Sequence, residues 1–375
     1  MHVGTMVKGY LTAPAPRDMV YAPYDLAIDL GNELVGRGHD VDFYAPEGSD
    51  VGRARLITLG QRALATDYNS YVGRENGILF NPGLHSDNVL ALHDQRYSAA
   101  MFREARRQRQ NGQDAVLHFH HPEAALPYAD LYPDVPVVHT LHDPISDLQR
   151  TTLETFMTPN QFFVSLSDYQ RRAAPDLPYI ATVYNGIDTE LFRPDPTVER
   201  TDNLLFVGRI VPEKGVKEAI EVAQATGREL DIIGPTYPDF QDYFNEDVRP
   251  HLSDRIRYLG HIARRELPWY FRRAGAFLMP IQWDEPFGLV MAEAMACNTH
   301  VIALHRGSVP EVVAHGETGF VVHTTEEMAE VVPYLGTLPP DAGWARVLAH
   351  FSKRSMGGGY ETVFHKAISR VAALN

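Results

Sequence analysis

The feature that most constrains the fold is an alternation of short apolar runs with helical runs, which occurs twice along the chain. In the first half, residues 1–7 read as a buried strand. Residues 23–35 then place Leu26, Leu30 and Leu34 four apart, on one helical face. Gly36 and Gly38 stop that helix, and residues 39–45, 115–119 and 135–141 read as further strands. The pattern restarts at residues 204–207, with a helix over 217–226, strands at 230–233, 256–259, 276–279 and 301–303, and an apolar helix over 289–296. Strands alternating with helices call for a parallel sheet covered on both faces. The expected class is α/β: two doubly wound, Rossmann-like domains facing a central cleft. The proline-rich stretch 192–197 marks the junction. It separates an N-terminal domain, 1–193, from a C-terminal domain, 194–359, and a last helix over 360–375 is expected to rejoin the first.

Composition narrows the partners. A length of 375 residues suits two or three domains. A net charge of −14 repels a phosphate backbone, so nucleic acid is not an expected partner. The single cysteine, Cys297, excludes an internal disulfide and any multi-cysteine metal site. No run approaches about 18 apolar residues, so no transmembrane helix is expected. The first residues lack a basic segment followed by a long apolar one, and a cytoplasmic location is expected.

Residues 208–215 read Gly-Arg-Ile-Val-Pro-Glu-Lys-Gly, between a strand end and a helix start. Ligands of parallel α/β sheets collect beyond the carboxyl ends of the strands. Arg209 and Lys214 there, beside unpaired helix N–H groups, suit an anion, a diphosphate above all. The run is neither a Walker loop nor a Gly-x-Gly-x-x-Gly motif. The plain alternative is a solvated turn with a Glu213–Lys214 surface pair. Residues 285–293 read Glu-Pro-Phe-Gly-Leu-Val-Met-Ala-Glu, a turn leading into a helix. Eight helical steps span roughly 12 Å. Paired glycosidase carboxylates stand about 5–9.5 Å apart, so Glu285 and Glu293 better suit two contacts along one elongated ligand. The plain alternative is a helix-start charge and a solvated glutamate, although Glu293 has apolar neighbours and needs a partner if buried.

Three other groups stand out in the sequence. His118 and His120 share one face of a strand, and Glu123 would be a third ligand for zinc; a structural role is favoured and no metal site is assigned. Asp40 and Asp42 form an Asp-x-Asp pair of the kind that can hold a metal but lie inside a strand, and are read as structural. Arg103, Arg106, Arg107 and Arg109 are read as a solvated helix face rather than a contact for an anionic membrane or a phosphorylated ligand.

These motifs, in this order, carry a resemblance to the retaining GT-B glycosyltransferases of family four. The strongest stretch runs from Asp284-Glu285-Pro286-Phe287-Gly288-Leu289 through Glu293-Ala294-Met295-Ala296 to residues 307–320. Phe206-Val207-Gly208-Arg209 with Glu213-Lys214-Gly215 is a second match, and Tyr184-Asn185-Gly186-Ile187-Asp188 with Leu191-Phe192 a third. Gln282-Trp283-Asp284 resembles the avilamycin-type branch. The resemblance implies transfer of a sugar from a nucleotide-diphosphate sugar to an acceptor hydroxyl, with retention. It implies that Arg209 and Lys214 hold the diphosphate, Glu293 the ribose, and Glu285 the donor sugar with N–H groups near Phe287, Gly288 and Leu289. Gly260, His261 and Ile262 would flank the base. His142 would hydrogen-bond the sugar; on its own it reads as a packed strand-end histidine. No cofactor and no metal are implied, since cationic side chains and a helix dipole replace the ion. Base, sugar and acceptor are assigned to loop side chains, in 9–24 and 282–284, that the sequence does not decode.

The chain also departs from the family. Lys8-Gly9-Tyr10 stands where relatives have a Gly-Gly pair, and Ala296-Cys297-Asn298-Thr299-His300 where they commonly read Ala-x-Gly-x-Pro. Asn298 is expected to end the helix in the left-handed conformation. Gly357, Gly358 and Gly359 interrupt a helical region and are expected to form a hinge or a frayed turn. A sugar-nucleotide epimerase, a phosphorylase or a silent nucleotide-sugar binder is the alternative function.

Overall fold

The structure, a computed structural model, describes residues 1–16, 21–64, 74–75, 78–79 and 86–374. The chain forms two compact units. The first holds Met1–Leu166, Arg171–Gly186 and Met356–Asn375; the second holds Ser167–Gln170 and Ile187–Ser355. Phe192, in the proline-rich stretch, is fully buried within the second unit and packs edge-on against Phe271.

In the first unit the strands are β1 (His2–Met6), β2 (Asp40–Tyr44) and β3 (Arg55–Ile57), then a short ribbon of β4 (Arg74–Glu75) and β5 (Ile78–Leu79). They continue with β6 (Ala115–Phe119), β7 (Val137–Thr140), β8 (Gln161–Ser165) and β9 (Tyr179–Thr182). The ribbon apart, they make one parallel sheet in the order β3-β2-β1-β6-β7-β8-β9. Every residue of β1, β6, β7 and β8 is buried, as strands covered on both faces require, although His2, Thr5, His118, His139, Thr140, Gln161 and Ser165 interrupt their apolar runs. Helix α1 (Ala22–Gly36) turns Leu26, Leu30 and Leu34 inward, as their spacing requires. Helix α2 (Ser86–Gln110) buries Tyr97, Met101, Phe102 and Ala105 in the same core as Leu117 and Phe119.

The second unit repeats the plan. Strands β10 (Leu204–Val207), β11 (Leu230–Ile233), β12 (Ile256–Tyr258), β13 (Ala276–Met279), β14 (Val301–Leu304) and β15 (Gly319–Val322) form a parallel sheet ordered β12-β11-β10-β13-β14-β15. Helix α3 (Val216–Thr226) sets Ala219, Ile220 and Ala223 against it. Helix α4 (Leu289–Ala296) is buried on all sides from Met291 onward. It ends as expected: Asn298 takes φ +58°, and the N–H groups of Asn298 and Thr299 close on the carbonyls of Met295 and Ala294. In each sheet the strand order reverses once, between β1 and β6 and between β10 and β13. Such a reversal parts the two crossovers and leaves a crevice at the carboxyl ends.

The second acid of the Asp-x-Asp pair is an internal tie of the first unit. Asp42 is buried, lies 3.0 Å from the ring Nε2 of His2, and accepts from Arg55 at 2.6 and 2.7 Å. Burial alone pushes this carboxyl up, but the bonds from His2 and Arg55 outweigh it and hold the group below its ordinary range.

The three glycines do not break the last helix. Helix α5 (Lys353–Ala372) runs through all of them. A Cβ on Gly357 would stand 2.9 Å from Cβ of Glu33, and one on Gly359 would stand 2.9 Å from Cγ1 of Val183. The expected hinge is therefore corrected to a close-packed seam, in which missing side chains admit α1 and the segment after β9. Gly358 meets only the Arg37 guanidinium, at 3.5 Å or more.

Two outcomes follow. Gly358→Ala should stabilise the protein by up to about 1 kcal/mol through helix propensity. Gly357→Ala and Gly359→Ala should each destabilise it, by roughly 1–3 kcal/mol of overpacking; denaturant melts of the three variants check the contrast. Because the folded-state pKa of Asp42 is depressed, its contribution is present above the unfolded value and is lost as pH falls through the folded one. Asp42→Asn should cost roughly 1–3 kcal/mol at pH 7 and leave a shallower acid limb in stability against pH.

Candidate functional site

At the reversal point of the second sheet, two loops meet through their backbones. Gly215 has φ +77°, and a Cβ there would come within 1.9 Å of the Pro280 carbonyl oxygen. Only glycine allows the loop after β10 to lie directly on the loop after β13. The Gln282 N–H donates to the Glu213 carbonyl at 2.8 Å across the same contact. This brings Lys214 to Glu285, with Nζ 2.5 Å from Oε2. The Trp283 indole N–H donates to that same oxygen at 2.9 Å, and the Lys214 ammonium stands 4.9 Å from the Trp283 ring centroid. Only 16% of the lysine side chain and 14% of the glutamate remain exposed. The expected alternative, a Glu213–Lys214 surface pair, does not form: Glu213 is exposed and the lysine turns to Glu285 instead. Arg209, two residues past the end of β10, is half-buried.

The backbone of Glu285 is held from its other side. The Ser308 N–H donates to the Glu285 carbonyl at 2.9 Å, and Gly307, with φ +53°, packs so closely that a Cβ would reach 2.4 Å from that carbonyl oxygen. Phe287 is buried against Phe351, their centroids 5.5 Å apart, and anchors the turn. Gly288 then opens α4 with φ +77°, and no side chain caps the helix. The Met291 N–H closes on the Gly288 carbonyl at 3.0 Å, and the N–H groups of Leu289 and Val290 are left for a ligand or water. Glu293, 5% exposed, lies inside α4 and accepts from the Arg264 guanidinium at 3.2 Å, across 29 residues of chain. Gly260 accepts the Gly234 N–H at 2.9 Å, while His261 is exposed and Ile262 half-buried.

The first unit gathers its own cluster at the carboxyl ends of β1, β6 and β7. His142, just beyond β7, is hydrogen-bonded to His120, just beyond β6: Nε2 to Nδ1 is 2.8 Å, with the rings stacked at 16°. Burial pushes the His142 and His118 imidazoles down to about 3 and His139 to about 4. It also drives His120 and His121 well below their ordinary range, so these rings are neutral at pH 7. His121 is bonded to the Tyr21 hydroxyl at 2.5 Å, and the Lys8 ammonium lies 4.9 Å from the Tyr21 ring centroid. Asp94 accepts the Gly9 N–H at 2.5 Å, and burial pushes its carboxyl up to about 6. The three side chains considered as zinc ligands are otherwise engaged: His118 is bonded to Thr140, His120 to His142, and Glu123 accepts from Gln149 at 3.3 Å. Residues 17–20 of the 9–24 specificity segment lie outside the described residues.

Three partners escaped the sequence reading. Trp283 stood in a motif, but nothing marked its N–H as a partner of Glu285. Arg264 carried no signal, since a partner 29 residues away is set only by packing. His120 was visible as a strand-face neighbour of His118, not as a partner of His142.

Residues 188–342 match the family model of glycosyl transferases group 1, and residues 26–191 match that of glycosyltransferase family 4. The glycogen synthase of Mycobacterium tuberculosis is 30% identical over 330 residues, covering 77% of this chain and 76% of that one. The phosphatidyl-myo-inositol mannosyltransferase of Mycolicibacterium smegmatis is 26% identical over 352 residues, covering 87% and 83%. In fold, sucrose-phosphate synthase from Thermosynechococcus elongatus is similar with a TM-score of 0.74 at 18% identity, over 98% of this chain and 100% of that one. Paired Rossmann-like sheets, both family models and a relative this similar over most of its length lead to one conclusion: the chain is a GT-B glycosyltransferase of family four.

Proposed function

We propose that the protein transfers a sugar from a nucleotide-diphosphate sugar to an acceptor hydroxyl with retention of anomeric configuration. The observation that carries the reading is the Lys214–Glu285–Trp283 contact, set beside the uncapped start of α4 at a sheet reversal. A diphosphate entering there takes Lys214 as counter-ion, with Arg209 and the α4 N–H groups as further donors. Glu285 is then released to the donor sugar while Trp283 still holds one of its oxygens. Glu293, aligned by Arg264, accepts from the ribose hydroxyls, and the Gly260–His261–Ile262 turn meets the base through its main chain. His142 supplies a hydrogen bond to a sugar oxygen.

In the reaction the bond from the anomeric carbon to the diphosphate oxygen breaks as the acceptor oxygen bonds to the same face. The acceptor proton passes to the departing phosphate oxygen. Arg209 and Lys214 stabilise the charge that develops on that oxygen, the part a metal ion plays in other transferases. On this reading no metal and no cofactor take part.

Thermal melting against UDP, GDP, ADP and TDP sugars, with and without EDTA, tests the site. One nucleotide class should raise the melting temperature, by the equivalent of about 2.7 kcal/mol at a hundredfold excess over Kd, and EDTA should leave the shift unchanged. Lys214→Ala and Arg209→Ala should abolish most of it. An absence of shift with every nucleotide overturns the donor site. Once a donor is known, Lys214→Ala should lower kcat by about 10²–10³, and Glu293→Gln should weaken nucleotide binding. The one-bond carbon–proton coupling at the anomeric carbon of the transferred sugar, read by NMR in the isolated glycoside product, decides retention; an inverted product overturns that part.

A further inference from the structure

The His120–His142 contact carries information about protonation that neither residue carries alone. Both rings are neutral, so a 2.8 Å nitrogen-to-nitrogen bond has one proton between them. Two arrangements are open. If His142 donates from Nε2, His120 must carry its own proton on Nε2. If His120 donates from Nδ1, its Nε2 is bare. The surroundings of that Nε2 decide between them. His120 is 3% exposed, and its Nε2 is buried without a hydrogen-bond partner. The ring beside it, His118 at 4.3 Å between centroids, spends its Nε2 on Thr140 at 2.8 Å, and Thr140 is in turn bonded to the Tyr360 hydroxyl at 2.7 Å. An unpaired N–H in such a place is the rarer and costlier defect; a bare ring nitrogen is better tolerated.

We propose that His120 is a positioning residue: it donates Nδ1–H to Nε2 of His142, fixing the tautomer in which His142 presents Nδ1–H outward as a donor. The Nδ1 of His142 is bonded to none of the described residues, so it is the atom offered to a ligand oxygen. A group that can only donate recognises a hydroxyl oxygen or an anionic oxygen and rejects a ligand presenting an N–H at that point. The tautomer stands on the first unit alone; that the oxygen belongs to a sugar rests on the glycosyl-transfer reading.

The test is a ring ¹⁵N spectrum of the full-length protein labelled at histidine, without ligand, with His142 assigned by its loss in His142→Ala. His142 should show a protonated Nδ1 and a bare Nε2. His120→Asn, whose amide N–H₂ can take the place of the Nδ1–H, should keep that state. His120→Phe, which fills the space without a donor, should shift His142 toward a protonated Nε2. A protonated Nε2 in the unmodified protein overturns the proposal, and so does a His142 unchanged in a folded His120→Phe. The spectrum of the unmodified protein decides the matter even if the variant fails to fold. With a donor in hand, His120→Phe should lower turnover about tenfold, the usual scale for losing an orienting partner, and His120→Asn should restore most of it. Turnover equal in the two folded variants would assign His120 a packing role and overturn the proposal, while a chain that transfers no sugar but keeps the tautomer would fault only the glycosyl-transfer reading.

Discussion

A parallel strand cannot be followed by a tight hairpin; each must be reached by a crossover that returns to the same edge of the sheet. That constraint gathers every loop leaving a strand at one edge of each unit. Where the strand order reverses, between β1 and β6 and between β10 and β13, the crossovers part and the edge opens. Arg209, Lys214 and Glu285 all follow β10 or β13, and His120 and His142 follow β6 and β7. The side chains of both clusters are therefore collected by topology before any of them touches another.

What converts collection into a site is backbone proximity. Gly215 against Pro280, and Gly307 against Glu285, permit distances that any Cβ would forbid. The first seats the loop after β10 on the loop after β13, the second fixes the Glu285 main chain, and Lys214 and Trp283 hold its carboxylate. Trp283 and Lys214 then claim the same oxygen, Oε2. A cation that is paired within the protein and sits over an indole face has already been partly stripped of water. It can exchange one anionic partner for another at smaller desolvation cost than a free surface lysine would face.

Much of this was legible in the sequence. The short strands are mostly apolar because both sheet faces are covered, and their alternation with helices reads directly as a parallel sheet. The left-handed Asn298 followed from the need to end α4 without the usual glycine. The Gly357–Gly359 run misled for a local reason: three glycines weaken an isolated helix, yet here α1 and Val183 occupy the space their side chains would fill. Propensity describes a helix in water, whereas this helix is held by packing.

Period and order along the chain thus determined the fold class and the positions of Arg209, Lys214 and Glu285 beyond strand ends and of Glu293 inside a helix, while the motifs carried the resemblance to the family. Only the tertiary structure decided which group holds which: Lys214 and Trp283 on Glu285, Arg264 on Glu293, His120 on His142. The physical reason is range. Secondary structure and its ends arise from interactions a few residues apart, which a sequence displays. A hydrogen bond forms within about 3 Å, and whether residues 22, 29 or 71 positions apart come that close is settled by how the strands and helices between them pack.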